Sequence, residues 1–105
     1  MSQYWNNQVM LPGEELIEAM TGSPVNLGSL AFTPVKLIMD NQSDDVVVLS
    51  ISTNGGASSV QWHTFPAAEA IVLDDDLYAF PKGTVFFADG AGTGNFSISY
   101  TYLKE

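Results

Sequence analysis

Val46-Val47-Val48-Leu49-Ser50-Ile51-Ser52-Thr53, closed by Asn54-Gly55-Gly56, is a run of β-branched and apolar residues ended by a turn signal. Such residues favour a pleated, half-buried surface. Side chains alternate across a strand, so Val47, Leu49 and Ile51 point to one face. Ser50 and Ser52 point to the other, with Val46 and Val48 at its start. One face is fully apolar and needs a second layer to cover it.

The flanking segments supply that layer. Val35 to Asp40 alternates, with Val35, Leu37 and Met39 inward, and Asn41-Gln42-Ser43-Asp44-Asp45 is a turn, so the two strands are expected to pair as a hairpin. Downstream, Ser59 to Phe65 places Val60, Trp62 and Thr64 on one face and Gln61, His63 and Phe65 on the other. Ala70 to Leu73 and Thr84 to Ala88 are two further short strands. Asn95 to Leu103 sets Phe96, Ile98, Tyr100 and Tyr102 against Ser97, Ser99 and Thr101.

Gly, Pro and Asp turns separate these runs at near-regular spacing, and no connection is long enough for a helical crossover. The pattern predicts an all-β fold: a small antiparallel β-sandwich, jelly-roll-like, or a small barrel. Residues 21–105 form this domain, with Leu27, Leu30 and Phe32 anchoring a loop to the core and room for an edge strand near Leu30 to Phe32. Residues 1–20 form an N-terminal arm with at most one short helix. The helix candidate is Glu14 to Met20: acids occupy the first turn, and Leu16, Ile17 and Met20 share a face. A loop is the alternative.

The chain has 105 residues, one domain's worth. A chain of that size buries roughly 65% of the surface its unfolded form exposes, so association with neighbours would help it. Its net charge is −9, from twelve acids and three bases, Lys36, Lys82 and Lys104. That sign opposes binding to nucleic acid or to anionic lipid. With no cysteine there is no disulfide or thiol chemistry. The start lacks a basic segment and a long apolar segment, so no signal peptide is expected, and no apolar run approaches the roughly 20 residues of a membrane span. Charged residues are 14% of the chain while apolar residues reach 46%, a balance that suits a surface partly covered by other protein.

Candidate sites are weighed against plainer readings. His63, the one histidine, sits in a strand with no motif tying it to a nucleophile, so it reads as structural or surface-lying. Asp74-Asp75-Asp76 offers oxygens for calcium, with Asp44, Asp45 or Asp89 as extra ligands. The EF-hand spacing is absent, however, and a solvated turn is the expectation. Asp89-Gly90-Ala91-Gly92-Thr93-Gly94 superficially resembles a phosphate cradle. It lies between strands rather than before a helix, which makes it a hairpin loop. Trp62, Tyr78 and Tyr100 could form a sugar platform, but core packing is the plainer reading. No catalytic residue, cofactor or metal site is expected. Tyr4, Trp5, Val9, Met10 and Leu11 are the candidate subunit-interface residues. The arm either folds back on its own domain or lies on a neighbour, since large exposed aromatics find partners.

Short turn-like pieces stand in a set order over residues 40–102. They are Asn41-Gln42-Ser43-Asp44, Ser52-Thr53-Asn54-Gly55-Gly56, Phe65-Pro66-Ala67, Lys82-Gly83-Thr84 and Gly92-Thr93-Gly94. In this the chain resembles the small β-sandwich virion proteins of tailed bacteriophages. Asn54 stands where an aspartate often precedes the glycine. The resemblance implies a bacteriophage virion structural protein, not an enzyme. An auxiliary capsid (decoration or cement) protein is the first expectation, with a head–tail, neck or tail component as the alternative. A carbohydrate- or receptor-binding module is the competing class. The implied partners are copies of itself, as an oligomer, and virion proteins such as the major capsid protein. The implied location is the virion, after synthesis in the host cytoplasm.

Overall fold

The valine-rich stretch forms β5 (Val47–Ser52), with Val47 and Leu49 fully buried and Ile51 nearly so. The computed structural model describes residues 9–75, 77 and 80–104. In chain order the strands are β1 (Met10–Pro12), β2 (Leu16–Ala19), β3 (Val25–Ser29), β4 (Lys36–Asn41), β5, β6 (Val60–Phe65), β7 (Ala70–Leu73), β8 (Val85–Gly90) and β9 (Asn95–Leu103).

They form two sheets. One runs β1-β9-β4-β7, with β2 also paired to β9; the other runs β3-β8-β5-β6. Every pairing is antiparallel. From β2 onward the chain passes from sheet to sheet at each step except the β5–β6 hairpin. This is the double Greek key of a jelly roll. The all-β sandwich read from the sequence is the observed architecture. The core between the layers holds Leu37 and Met39 from β4, Phe86 from β8, and Phe96 and Ile98 from β9, all fully buried. Within each strand the paired core residues lie at alternate positions, as a period of two requires.

Five local expectations are corrected. Glu14 to Met20 is not a helix: Leu16 to Ala19 is β2, paired in register with Ile98 to Asn95. The cause is arithmetic. Leu16 and Met20, the buried pair, are four residues apart, a spacing that both a helix and a strand place on one face. The nine-residue β9 offered an open edge, and the segment took it.

Next, β4 and β5 do not form a hairpin. They lie in opposite sheets, joined by a corner built on Asn41. The loop after β8 likewise joins opposite sheets and is not a hairpin turn. The common face expected for Val60, Trp62 and Thr64 is broken by a bulge, because the β5–β6 register shifts between Leu49↔His63 and Ser50↔Gln61. The extra residue, Trp62, turns partly inward against Phe80 at 5.4 Å, and Val60 is left 66% exposed. Finally, the strand expected near Leu30 to Phe32 is displaced to Val25–Ser29. Leu27 and Leu30 are buried as expected, but Phe32 is exposed.

Gly13 carries the chain from β1 to β2 across the ring of Tyr100. Its amide donates to the Tyr100 carbonyl at 2.8 Å, and a Cβ there would enter the Tyr100 ring. The buried Tyr100 hydroxyl accepts from the Ala31 amide at 3.2 Å. Tyr100→Phe is therefore expected to cost about 1 kcal/mol in a urea titration. An unchanged midpoint would mean that water replaces the hydroxyl.

Candidate contact surfaces

The interface residues read from the sequence fall into three groups. Tyr4 and Trp5 lie outside the described residues. Val9 is exposed, and its carbonyl accepts from the Lys104 amide at 2.9 Å. Met10 and Leu11 belong to β1, which lies along the protein's own β9, Met10 opposite Leu103 and Leu11 opposite Tyr102. The Met10 side chain stays 55% exposed, while Leu11 lines a cleft.

Register shows which side chains share the outer face of the β9 sheet. Ser97, Ser99 and Thr101 of β9 point away from the core, and their partners point with them. Ile17 and Asp40 flank Ser97, Ile38 flanks Ser99, and Pro12 and Lys36 flank Thr101. Val72 lies beyond Ile38, and Met10 lies beside Leu103. The face is thus a set of apolar side chains around small hydroxyls that they largely cover, Ser97 being buried and the Thr101 hydroxyl out of contact with solvent. Met10 and Val72 are each 55% exposed and Ile17 38%. Among these residues Lys36 and Asp40 are the only charges.

Two clefts stand out among the described residues. One, of about 520 Å³, is lined by Leu11, Phe32, Tyr102, Leu103, Lys82 and Lys104, together with Thr33. Phe32 and Tyr102 stack there with ring centroids 3.9 Å apart. The other, of about 340 Å³, lies on the outer face of the β5 sheet. Its floor is Phe87, paired across from Ser50, and its wall is the β5–β6 loop. That loop is internally braced. The Ser52 hydroxyl accepts from the Gly56 amide at 2.9 Å, and the Asn54 side-chain oxygen accepts from the Ser58 amide at 3.0 Å. Neither cleft was legible beforehand, because each is assembled from segments distant in sequence.

The remaining candidates resolve individually. His63 Nε2 meets Glu69 Oε1 at 3.0 Å, and its ring sits edge-on to Phe65 at 4.6 Å. Both partners are over one-third exposed, so the pair contributes little, at most about 1 kcal/mol. Asp74 and Asp75 are exposed and Asp76 lies outside the described residues; among the described residues no three acids or histidines gather as metal ligands would.

Gly92 and Gly94 pack against the Asn41 corner, and the loop's polar contacts are internal. The Thr93 amide donates to Asp44 Oδ1 at 2.7 Å, and the Asp44 amide donates to the Thr93 carbonyl at 3.2 Å. Of the proposed sugar platform, Tyr100 is buried, Trp62 is half-buried against Phe80, and Tyr78 lies outside the described residues.

No family model and no curated protein matches the chain. Among solved structures, a point mutant of CBM29-2, a family 29 carbohydrate-binding module, is similar over 95% of this chain and 82% of its own. The identity is 16% and the TM-score 0.42. At that distance nothing about the module's ligand carries across.

Proposed function

We propose that this chain is a structural subunit of a bacteriophage particle, an auxiliary capsid protein that works by contact and not by catalysis. The observation that supports this most is the outer face of the β9 sheet, where Met10, Ile17, Ile38 and Val72 lie around small hydroxyls with little charge. An apolar surface of this kind gains roughly 25 cal/mol per Å² when a neighbour covers it. A neck or tail position uses the same face. The likeness of residues 40–102 to phage β-sandwich proteins points the same way.

The arm supplies the test. Removing residues 1–8 leaves every described strand in place, because β1 begins at Met10. The truncated chain is expected to fold with an unchanged urea midpoint and to lose incorporation into particles, as Tyr4 and Trp5 go with it. Truncated protein that co-sediments with particles as the full chain does would overturn the arm's role. Full-length protein that never co-sediments would overturn the subunit role.

A second reading, a saccharide-binding module, rests on the cleft floored by Phe87 and rimmed by Ser50, Ser58, Ser59 and Asp89. An aromatic floor with converging hydroxyls and a carboxylate suits a sugar ring, and the volume falls in the range of small-ligand sites. Saturable glycan binding by the isolated chain, abolished by Phe87→Ala, would favour this reading over the first.

A further inference from the structure

Each lysine lies at or just beyond the end of a strand: Lys36 opens β4, Lys82 precedes β8 and Lys104 follows β9. β4 opens on Lys36 and reaches Asp40 before it closes. β8 follows Lys82 and carries Asp89 near its end, across from Val48. β9 is followed by Lys104, while Thr93, just before it, is bonded to Asp44. The antiparallel register sets Lys36 beside Thr101, near the Lys104 end of β9, and Lys82 and Lys104 line one cleft. All three bases of a chain with net charge −9 therefore gather at one end of the sandwich. Asp44 and Asp45, both exposed, lie at the other end. Thr93 and Lys104 are separated by eleven positions (104 minus 93), roughly 35 Å of extended strand.

We propose that the cleft between Lys82 and Lys104 receives the Asp44-Asp45 corner of a second copy, so that copies associate head to tail. Charge argues for this arrangement. Two bodies this acidic repel in most orientations; among the described residues that line the cleft Lys82 and Lys104 are the only charges, so a carboxylate entering there meets cations. Asp74 follows Leu73, the register partner of Leu37, and so stands near Lys36; Lys82 and Lys104 are the cations that face the cleft. The stacked Phe32 and Tyr102, with Leu11 and Leu103, give the cleft an apolar wall that lowers the local dielectric around the ion pairs. The interface joins unlike surfaces, so it closes into a ring or runs on as a filament. The inference deepens the subunit reading and rests on it for its purpose.

Sedimentation velocity on the full chain tests it. Association is expected in about 0.1 M salt, where the repulsion between two bodies of charge −9 is screened beyond roughly 10 Å while contact pairs persist, and is expected to weaken in about 1 M salt, where charges act over roughly 3 Å. Lys82→Glu with Lys104→Glu, and separately Asp44→Asn with Asp45→Asn, should each weaken association at least tenfold. The asparagines keep the side-chain oxygens that accept from the Thr93 and Val46 amides, so the corner stays folded. An equimolar mixture of the two variants retains one good interface per pair and should give dimers and nothing larger. A wild type that stays monomeric in about 0.1 M salt, or a mixture that forms no dimer there, overturns the proposal. A monomer that still enters particles would sink head-to-tail association and spare the subunit role; an associating chain that stays out of particles would do the reverse.

Discussion

Replacing Asn41 with alanine is expected to lower the stability of the fold by about 3–5 kcal/mol. Asn41 is fully buried where the chain leaves β4 for the opposite sheet. Its side-chain amide donates to the carbonyls of Asp45 (3.0 Å), Phe65 (3.2 Å) and Pro66 (3.0 Å). Its side-chain oxygen accepts from the Ser43 amide at 3.0 Å and the Ser43 hydroxyl at 2.6 Å. One residue thus ties together the end of β4, the corner leading to β5 and the end of β6. Alanine would leave a buried carbonyl and a buried amide unpaired, at about 1–3 kcal/mol each. Asn41→Asp should be at least as damaging, because it removes the donors and buries a charge. In urea the midpoint should fall with an unchanged slope. A loss below about 1 kcal/mol would mean that water takes over the role of the amide.

Gly94→Ala is expected to cost about 3 kcal/mol, for two separate reasons. The backbone at Gly94 has φ +126°, where a side chain is strained by about 1–3 kcal/mol. A Cβ there would also lie 2.8 Å from the Gln42 carbonyl oxygen and 2.9 Å from the Ser43 Cα. Both are backbone atoms of the Asn41 corner and cannot swing aside. Gly22→Ala separates the two causes: φ there is +85°, but a Cβ would meet nothing within 4 Å. It should cost about 1 kcal/mol in the same titration. Equal losses at the two positions would show that the close approach contributes nothing.

These two residues mark where sequence reading stopped. The period of two in Phe96-Ile98-Tyr100-Tyr102 and in Val47-Leu49-Ile51 is local, so the sandwich, its layers and most of its core were legible. Partner choice is not local. Asn41-Gln42-Ser43-Asp44-Asp45 carries the composition of a hairpin turn, yet its buried amide directs the chain to the other sheet. Gly92 and Gly94 read as a loose loop, when close packing against that corner is what requires them. Leu16 and Met20 misled because a spacing of four fits both periods. The lysine cleft was invisible for a related reason: Lys82 and Lys104 are far apart in sequence, and only the meeting of the β8 start with the β9 end brings them together.

The most direct test of the proposed subunit role is a cryo-EM map of particles purified from cells that carry the genome encoding this chain. The account predicts density for a two-sheet jelly roll on the shell, neck or tail, with Met10, Ile17, Ile38 and Val72 turned toward a neighbouring protein. A particle without that density, or one in which this face looks outward to solvent in every copy, would contradict it.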